Sequence, residues 1–405
     1  MQKVTIRDSS NWSSTTMIAL IMFFLFAGTL NSIVSGAARV GMGSLLILMY
    51  TSCLILYGSY IKEQEIPKYN WTIARWGFVH MGISIINLFY NMSSRGVNNI
   101  AQFFLCLSFV LFISNLSWRE KDFRLLGKMA SWYAILNFIY WLVSGRVIPF
   151  LSIYSNSNIF GSYIVFLLFF ILLGRHYSKK RSIFNLGIIL SLALIMFSDT
   201  RSAMLAFVAI VIVYIFWNSI TKGRKKFYVI FWILMIGIIA FIFLYPKLPM
   251  WPQFYTVSNF MYKYTGKNLL SGRDDIWLTL VNLISYKPLL GYGPGAVPSE
   301  LSLIQASSHN LFLQITLQNG YIGLTTFVLF LSSFWKRFWV LKTSYHTRLA
   351  ASFFVGILIH QSFEIALTQN QLSVGLIQWL IVGIGISRIA NLEEPDNIAQ
   401  IDLKK

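Results

Sequence analysis

Apolar runs long enough to cross a bilayer recur from Met17 to Ile386, and they restrict the possible folds more than any other feature. About 20 apolar residues of α-helix span the hydrocarbon core, because a segment without water must satisfy its own backbone N–H and C=O groups. The runs fall at 17–35, 40–61, 71–90, 97–117, 129–147, 159–174, 183–199, 203–218, 227–245, 310–334, 349–367 and 371–388. A β-barrel would instead show short segments of period-two alternation, which are absent. The first run, Met17–Val34, is too long for a cleavable signal and is followed by further spans. With 56% hydrophobic and 12% charged residues, the composition agrees. The expected fold is an all-α polytopic membrane protein of about 12 transmembrane helices, with one long extracytoplasmic loop containing short helices. Residues 1–245 would hold helices 1–9, 246–309 the loop, 310–388 helices 10–12, and 389–405 a cytoplasmic tail.

A net charge of +19 could suggest a nucleic-acid partner, but its distribution argues against one. With the N-terminus inside, 24 of the 33 Lys and Arg fall in connections on the cytoplasmic side and nine outside. That is the positive-inside bias, which fixes an orientation with both termini cytoplasmic and makes much of the charge topological. Cys53 and Cys106 both lie inside predicted spans and imply neither a disulfide nor a thiolate metal site.

The outer connections are short except for Pro246–Ser308, 63 residues with six prolines and a glycine cluster. Long loops in compact proteins are functional or disordered, and the aromatics of this one point to order. Ile276, Leu280, Val281 and Ile284 have helical spacing and predict a short surface helix over Asp274–Ser285.

Few residues in so apolar a chain carry chemistry. Arg201, in SDTRSAM between the seventh and eighth runs, reads either as an interfacial snorkelling arginine or as an anion contact. Arg273, in SGRDDIW, could pair locally with Asp274 or Asp275, or could bind a phosphate. His309, in SSHN, is the one histidine on the outer side, and an imidazole suits taking a hydroxyl proton at neutral pH. Gly291 and Gly293, in GYGPG, mark a tight turn where backbone approaches a ligand or another helix. No Lys-Ser/Thr follows them, so a nucleotide loop is excluded. Glu364 falls within the predicted eleventh span, one turn after His360. The two could form a structural polar pair, or Glu364 could serve in proton relay or binding. Two such ligands are too few for a metal site.

In order, the blocks SDTRSAMLAFV, SGRDDIW, KPLLGYGPG and SSHNLFLQITLQNGYIGL resemble the O-antigen ligase and polymerase family of bacterial membrane glycosyltransferases. The earlier YSNSNIFGSY looks like the family's Asn-containing entry to a mid-chain span. The resemblance implies a cytoplasmic-membrane enzyme using an undecaprenyl-diphosphate-linked glycan donor and a glycan acceptor at the outer face. It implies that Arg201 and Arg273 bind the diphosphate and that His309 activates the acceptor hydroxyl. No cofactor or metal is expected, membrane lipid surrounds the site, and a flippase and a chain-length regulator are implied partners. Polymerisation of repeat units for O-antigen or capsular polysaccharide is the leading reading. Ligation to a lipid A–core acceptor is the alternative, and a transporter or flippase is more distant.

Overall fold

The computed structural model describes residues 14–32, 36–63, 68–270, 272–302 and 307–387. The basic residues Lys3, Arg7, Arg388, Lys404 and Lys405, together with the expected tail 389–405 and Ser271 of SGRDDIW, lie outside the described residues. Among the described residues nine α-helices precede the loop: α1 (Ser14–Gly28), α2 (Ala37–Glu63), α3 (Lys68–Tyr90), α4 (Ser94–Asn115), α5 (Glu120–Val143), α6 (Ser157–His176), α7 (Ser182–Ser198), α8 (Arg201–Ile220) and α9 (Arg224–Leu244). Within the loop lie α10 (Phe254–Thr265), α11 (Arg273–Tyr286) and the single turn α12 (Pro298–Leu301). Then follow α13 (Leu311–Val340), α14 (Tyr345–Gln361) and α15 (Leu372–Ile386).

A helix underlies each of the twelve apolar runs, but six of the described helices are long and apolar enough to cross a membrane. These are α2, α4, α6, α8, α9 with its continuation to Met250, and α13. The others fall short in length, as α14 does at 17 residues, or in mean hydropathy over a span's length, as α5 does. The all-α membrane architecture therefore stands, while the number of crossings by this measure is lower than expected.

The interior is formed chiefly by α6, α13, α14 and α15. Around them α2, α7, α8 and α9 turn large apolar side chains such as Leu54, Ile189, Ile215 and Ile236 outward. A helix apolar all round needs lipid on the face that protein does not cover. Small residues permit close crossings: a Cβ on Gly127 of α5 would lie 2.7 Å from the Cα of Gly174 in α6.

The loop is folded onto the bundle. In α11 the buried face is Trp277, Leu280 and Ile284, with Ile276 and Val281 half-buried beside it. Trp277 replaces Ile276 as the anchor: its indole N–H donates to the Ser308 carbonyl at 2.8 Å, and its ring meets Phe241 and Tyr245. Truncating so buried an aromatic typically costs about 3–5 kcal/mol.

The tenth run is not one continuous helix. At Gly320 (φ +63°, ψ −168°) the α13 backbone leaves helical geometry, and the GYGPG turn docks into the break. Tyr292 and Gly293 donate N–H bonds to the carbonyls of Leu317 and Gln318, both at 2.9 Å. In return Tyr321 donates to Pro288 at 2.8 Å and Ile322 to Leu289 at 3.3 Å. Asn87 of α3 closes the junction by donating to Leu290 and Gln318. The polar groups released by the break are thereby satisfied without water. A Cβ on Gly291 (φ +71°) would sit 2.5 Å from the Leu317 carbonyl oxygen, so the approach that requires glycine is to another helix.

Glu364 does not lie inside a helical span as the hydropathy suggested. α14 ends at Gln361, whose Oε1 accepts from the N–H groups of Ala366 and Leu367, both at 3.1 Å. This folds 362–371 into a buried connection that carries Glu364.

Candidate active site

Three helices begin around one cavity of about 450 Å³ at one end of the bundle. Asn158 comes from the first turn of α6, Arg201 and Ser202 from the start of α8, and Arg273 from the first position of α11. Lys267 and Asp199 complete the polar wall, and Leu205, Phe241, Leu248 and Phe363 form an apolar one. Helix N-termini carry partial positive charge, so a cation placed there is disfavoured by about 0.3–1 kcal/mol. Three cations and three such termini around one cavity create a potential suited to an anion, in a volume typical of ligand sites.

The charges are held differently. Arg273 is 15% exposed and donates to Glu364 Oε1 at 3.0 Å, with its guanidinium 5.9 Å from the Phe363 ring centroid. This partner comes from a distant segment, and neither Asp274 nor Asp275 supplies it. Exposed Arg201 donates to the backbone carbonyls of Asn268 (2.7 Å) and Leu269 (3.5 Å), and it has no acidic partner among the described residues. Lys267 reaches Asp199 at both its carboxylate (2.5 Å) and its carbonyl (2.7 Å).

His309 stands beside this cavity rather than in its wall, with Nδ1 3.5 Å from Glu364 Oε2. Its backbone is left-handed (φ +47°), which histidine adopts more readily than most side chains but which still carries strain. Two neighbours over-determine it. The Ser308 carbonyl is held by Trp277, while Asn310 caps α13 at the Leu313 N–H and donates to the Ser362 carbonyl at 2.9 Å.

Glu364 thus ties the arginine to the histidine. It is 4% exposed, and its oxygens also meet Asn158 Nδ2 at 3.3 Å. Burial pushes its carboxyl pKa up, but the hydrogen bond from His309 and the charge of Arg273 outweigh this and hold it below the usual carboxylate range. His360, its expected partner, instead meets Ser162 of α6 at 2.6 Å. A depressed carboxyl stabilises the fold fully above its ordinary pKa of 4.5, and that contribution is lost as pH falls through the lower folded value. Glu364→Gln should therefore lower thermal stability by about 1–3 kcal/mol at neutral pH, with Arg273 left unpaired. In melting curves from pH 3 to 8 the gap from wild type should shrink towards the acid end; a gap constant with pH would refute the charge assignment.

Of the residues singled out from sequence, Arg201 and Arg273 share the cavity, while Glu364 and His309 adjoin it. Gly291 and Gly293 lie apart at the α13 break and do not line it. Lys267 carries no local sequence motif, Asp199 stands in SDTRSAM beside the residue singled out there, and Asn158 is marked only by its place in YSNSNIFGSY. Among the described residues no cluster of three His, Cys, Asp or Glu could hold a metal ion.

No curated protein matches the chain. Residues 186–328, which include Arg201, Arg273 and His309, match the family model described as O-antigen ligase, and over that segment the chain is similar to that family.

Proposed function

We propose that the chain transfers a glycan from a polyprenyl-diphosphate carrier to an acceptor hydroxyl at the outer face of the bacterial cytoplasmic membrane. The observation that carries this reading is the single Glu364 carboxylate joining a cavity-lining arginine to a histidine. The donor's diphosphate would sit among Arg201, Arg273 and Lys267, with its prenyl chain leaving along the apolar wall of α8 and α9. Glu364 accepts the Nδ1 proton of His309 and so presents Nε2 as the basic nitrogen. His309 would take the proton from the acceptor hydroxyl as that oxygen bonds to the anomeric carbon. The carbon–diphosphate bond breaks in the same step, inverting the centre, and the departing charge is met by the arginines. Preorganised cations aimed at developing charge can supply this stabilisation without a bound metal.

Polymerisation of lipid-linked repeat units is the leading reading, with a flippase and a chain-length regulator as working partners. Ligation to a lipid A–core acceptor is the second, favoured by the description of the matched family model. Transport finds less support, because transporter sites lie near the midplane and these polar groups gather at one end. The full chain in nanodiscs, given one lipid-linked repeat unit and EDTA, should produce a ladder of products. Transfer that appears only once lipid A–core is added would indicate the ligase, and no new glycosidic bond under either condition would reject glycosyl transfer.

A further inference from the structure

At the opposite end of the bundle a second cavity of about 170 Å³ opens between α3, α9 and α13. Two of its lining residues are cations from separate helices, Arg75 of α3 and Lys336 of α13. Both are exposed, and among the described residues neither makes an ion pair with Asp or Glu. No acidic residue lines the cavity. Two like charges brought to one concave surface repel unless an anion joins them.

The remaining wall combines aromatic rings, Trp76 and Trp335 among them, with the hydroxyls of Thr72, Ser332 and Ser333. Trp335 donates its indole N–H to the Phe227 carbonyl at 2.9 Å and stacks on the Phe227 ring at 4.4 Å. The Arg75 guanidinium lies 5.5 Å from the Trp76 ring centroid, which leaves its fork of N–H donors available. Beyond the cavity rim, Phe78, Ile233 and Ile236 continue outward as exposed apolar surface along α3 and α9. A cavity that holds two cations and runs into an apolar helix face matches the two ends of a phospholipid. A freely soluble anion would need only the first.

We propose that this cavity is a binding site for an anionic phospholipid of the cytoplasmic leaflet. Arg75 and Lys336 engage its phosphate, tryptophans border the headgroup, and the acyl chains lie along α3 and α9. Interhelical basic pockets on the cytoplasmic side are where anionic headgroups bind, each cation contributing about 1 kcal/mol. This proposal is independent of glycosyl transfer.

Native mass spectrometry of the full chain, released from detergent with phosphatidylglycerol, cardiolipin, phosphatidylcholine or inorganic phosphate, tests it. Wild type should retain phosphatidylglycerol or cardiolipin in preference to phosphatidylcholine. The R75A/K336A double variant should bind the anionic lipids about 30-fold more weakly, and R75K/K336R should keep most of the affinity, since about 1 kcal/mol per cation is roughly 5-fold each. If the double alanine variant does not fold, the single variants Arg75→Gln and Lys336→Gln should each show the roughly 5-fold loss. Equal retention by wild type and variants overturns the proposal, as does equal retention of phosphatidylcholine. Inorganic phosphate that binds in place of the lipid would also overturn it, leaving a soluble anion as the occupant.

Discussion

His309→Ala should reduce the turnover number for glycosyl transfer by about 10²–10⁴-fold, the usual contribution of a positioned general base. The loss should fall on kcat and leave donor binding nearly intact, because His309 adjoins the arginine cavity without lining it. Its side chain is 35% exposed, so the packing cost is small, and the lost contact with Glu364 should lower stability by about 0.5–1.5 kcal/mol, read separately from the melting temperature. Single-turnover measurements with saturating donor would separate the two effects. A His309→Ala enzyme with unchanged turnover, or with donor affinity lost in step with turnover, would remove the histidine from proton transfer.

Arg273→Ala is expected to lower kcat/KM by about 10²–10³-fold, on the scale of losing one preorganised contact to developing charge. Arg273→Lys should recover only part of this, since a lysine supplies a point charge in place of a planar fork. Because Arg273 also neutralises a buried carboxylate, the alanine variant should lose stability as well, by about 1–3 kcal/mol. Arg201→Ala separates the two roles. Arg201 is exposed and, among the described residues, is held by backbone carbonyls alone, so its removal should weaken donor binding with little effect on the melting temperature. Isotherms with a polyprenyl diphosphate would decide the matter: undiminished affinity in both variants would show that the cavity is not the diphosphate site.

The helices were legible because lipid selects on composition alone, and an uninterrupted apolar run announces itself without reference to the rest of the chain. The places where that reading slipped are places where a distant or local polar contact overrode hydropathy. The eleventh run looks continuous past Glu364, yet the Gln361 side chain captures two backbone N–H groups and ends the helix earlier. In α11, Ile276 and Trp277 both fit an apolar stripe, and the choice between them rests on a carbonyl 31 residues away. Arg201, Arg273 and His309 stood out as rare polar residues in ordered motifs. Lys267 did not, because it belongs to none of those blocks and its partner Asp199, inside SDTRSAM, is 68 residues distant. The link through Glu364 could not be read either, because spacing favoured His360 as its neighbour.

The insertion of the GYGPG turn into the α13 break also governs how this chain can be recombined. The loop shares its hydrogen bonding with Leu317, Gln318, Tyr321 and Ile322 of α13 and with Asn87 of α3, and Asn99 of α4 donates to Pro294 at 2.9 Å. Transplanting residues 246–308 alone into a related scaffold would strand those groups in a nonpolar interior. Arg273 and Lys267 of the loop also pair with Glu364 and Asp199, so an exchangeable module must carry Asp199 with α8 and the 362–371 connection along with α3, α4 and α13. Specificity carried by the loop would therefore be inherited with half a bundle attached, and drift in its sequence would be confined to α10 and the stretches that touch nothing else.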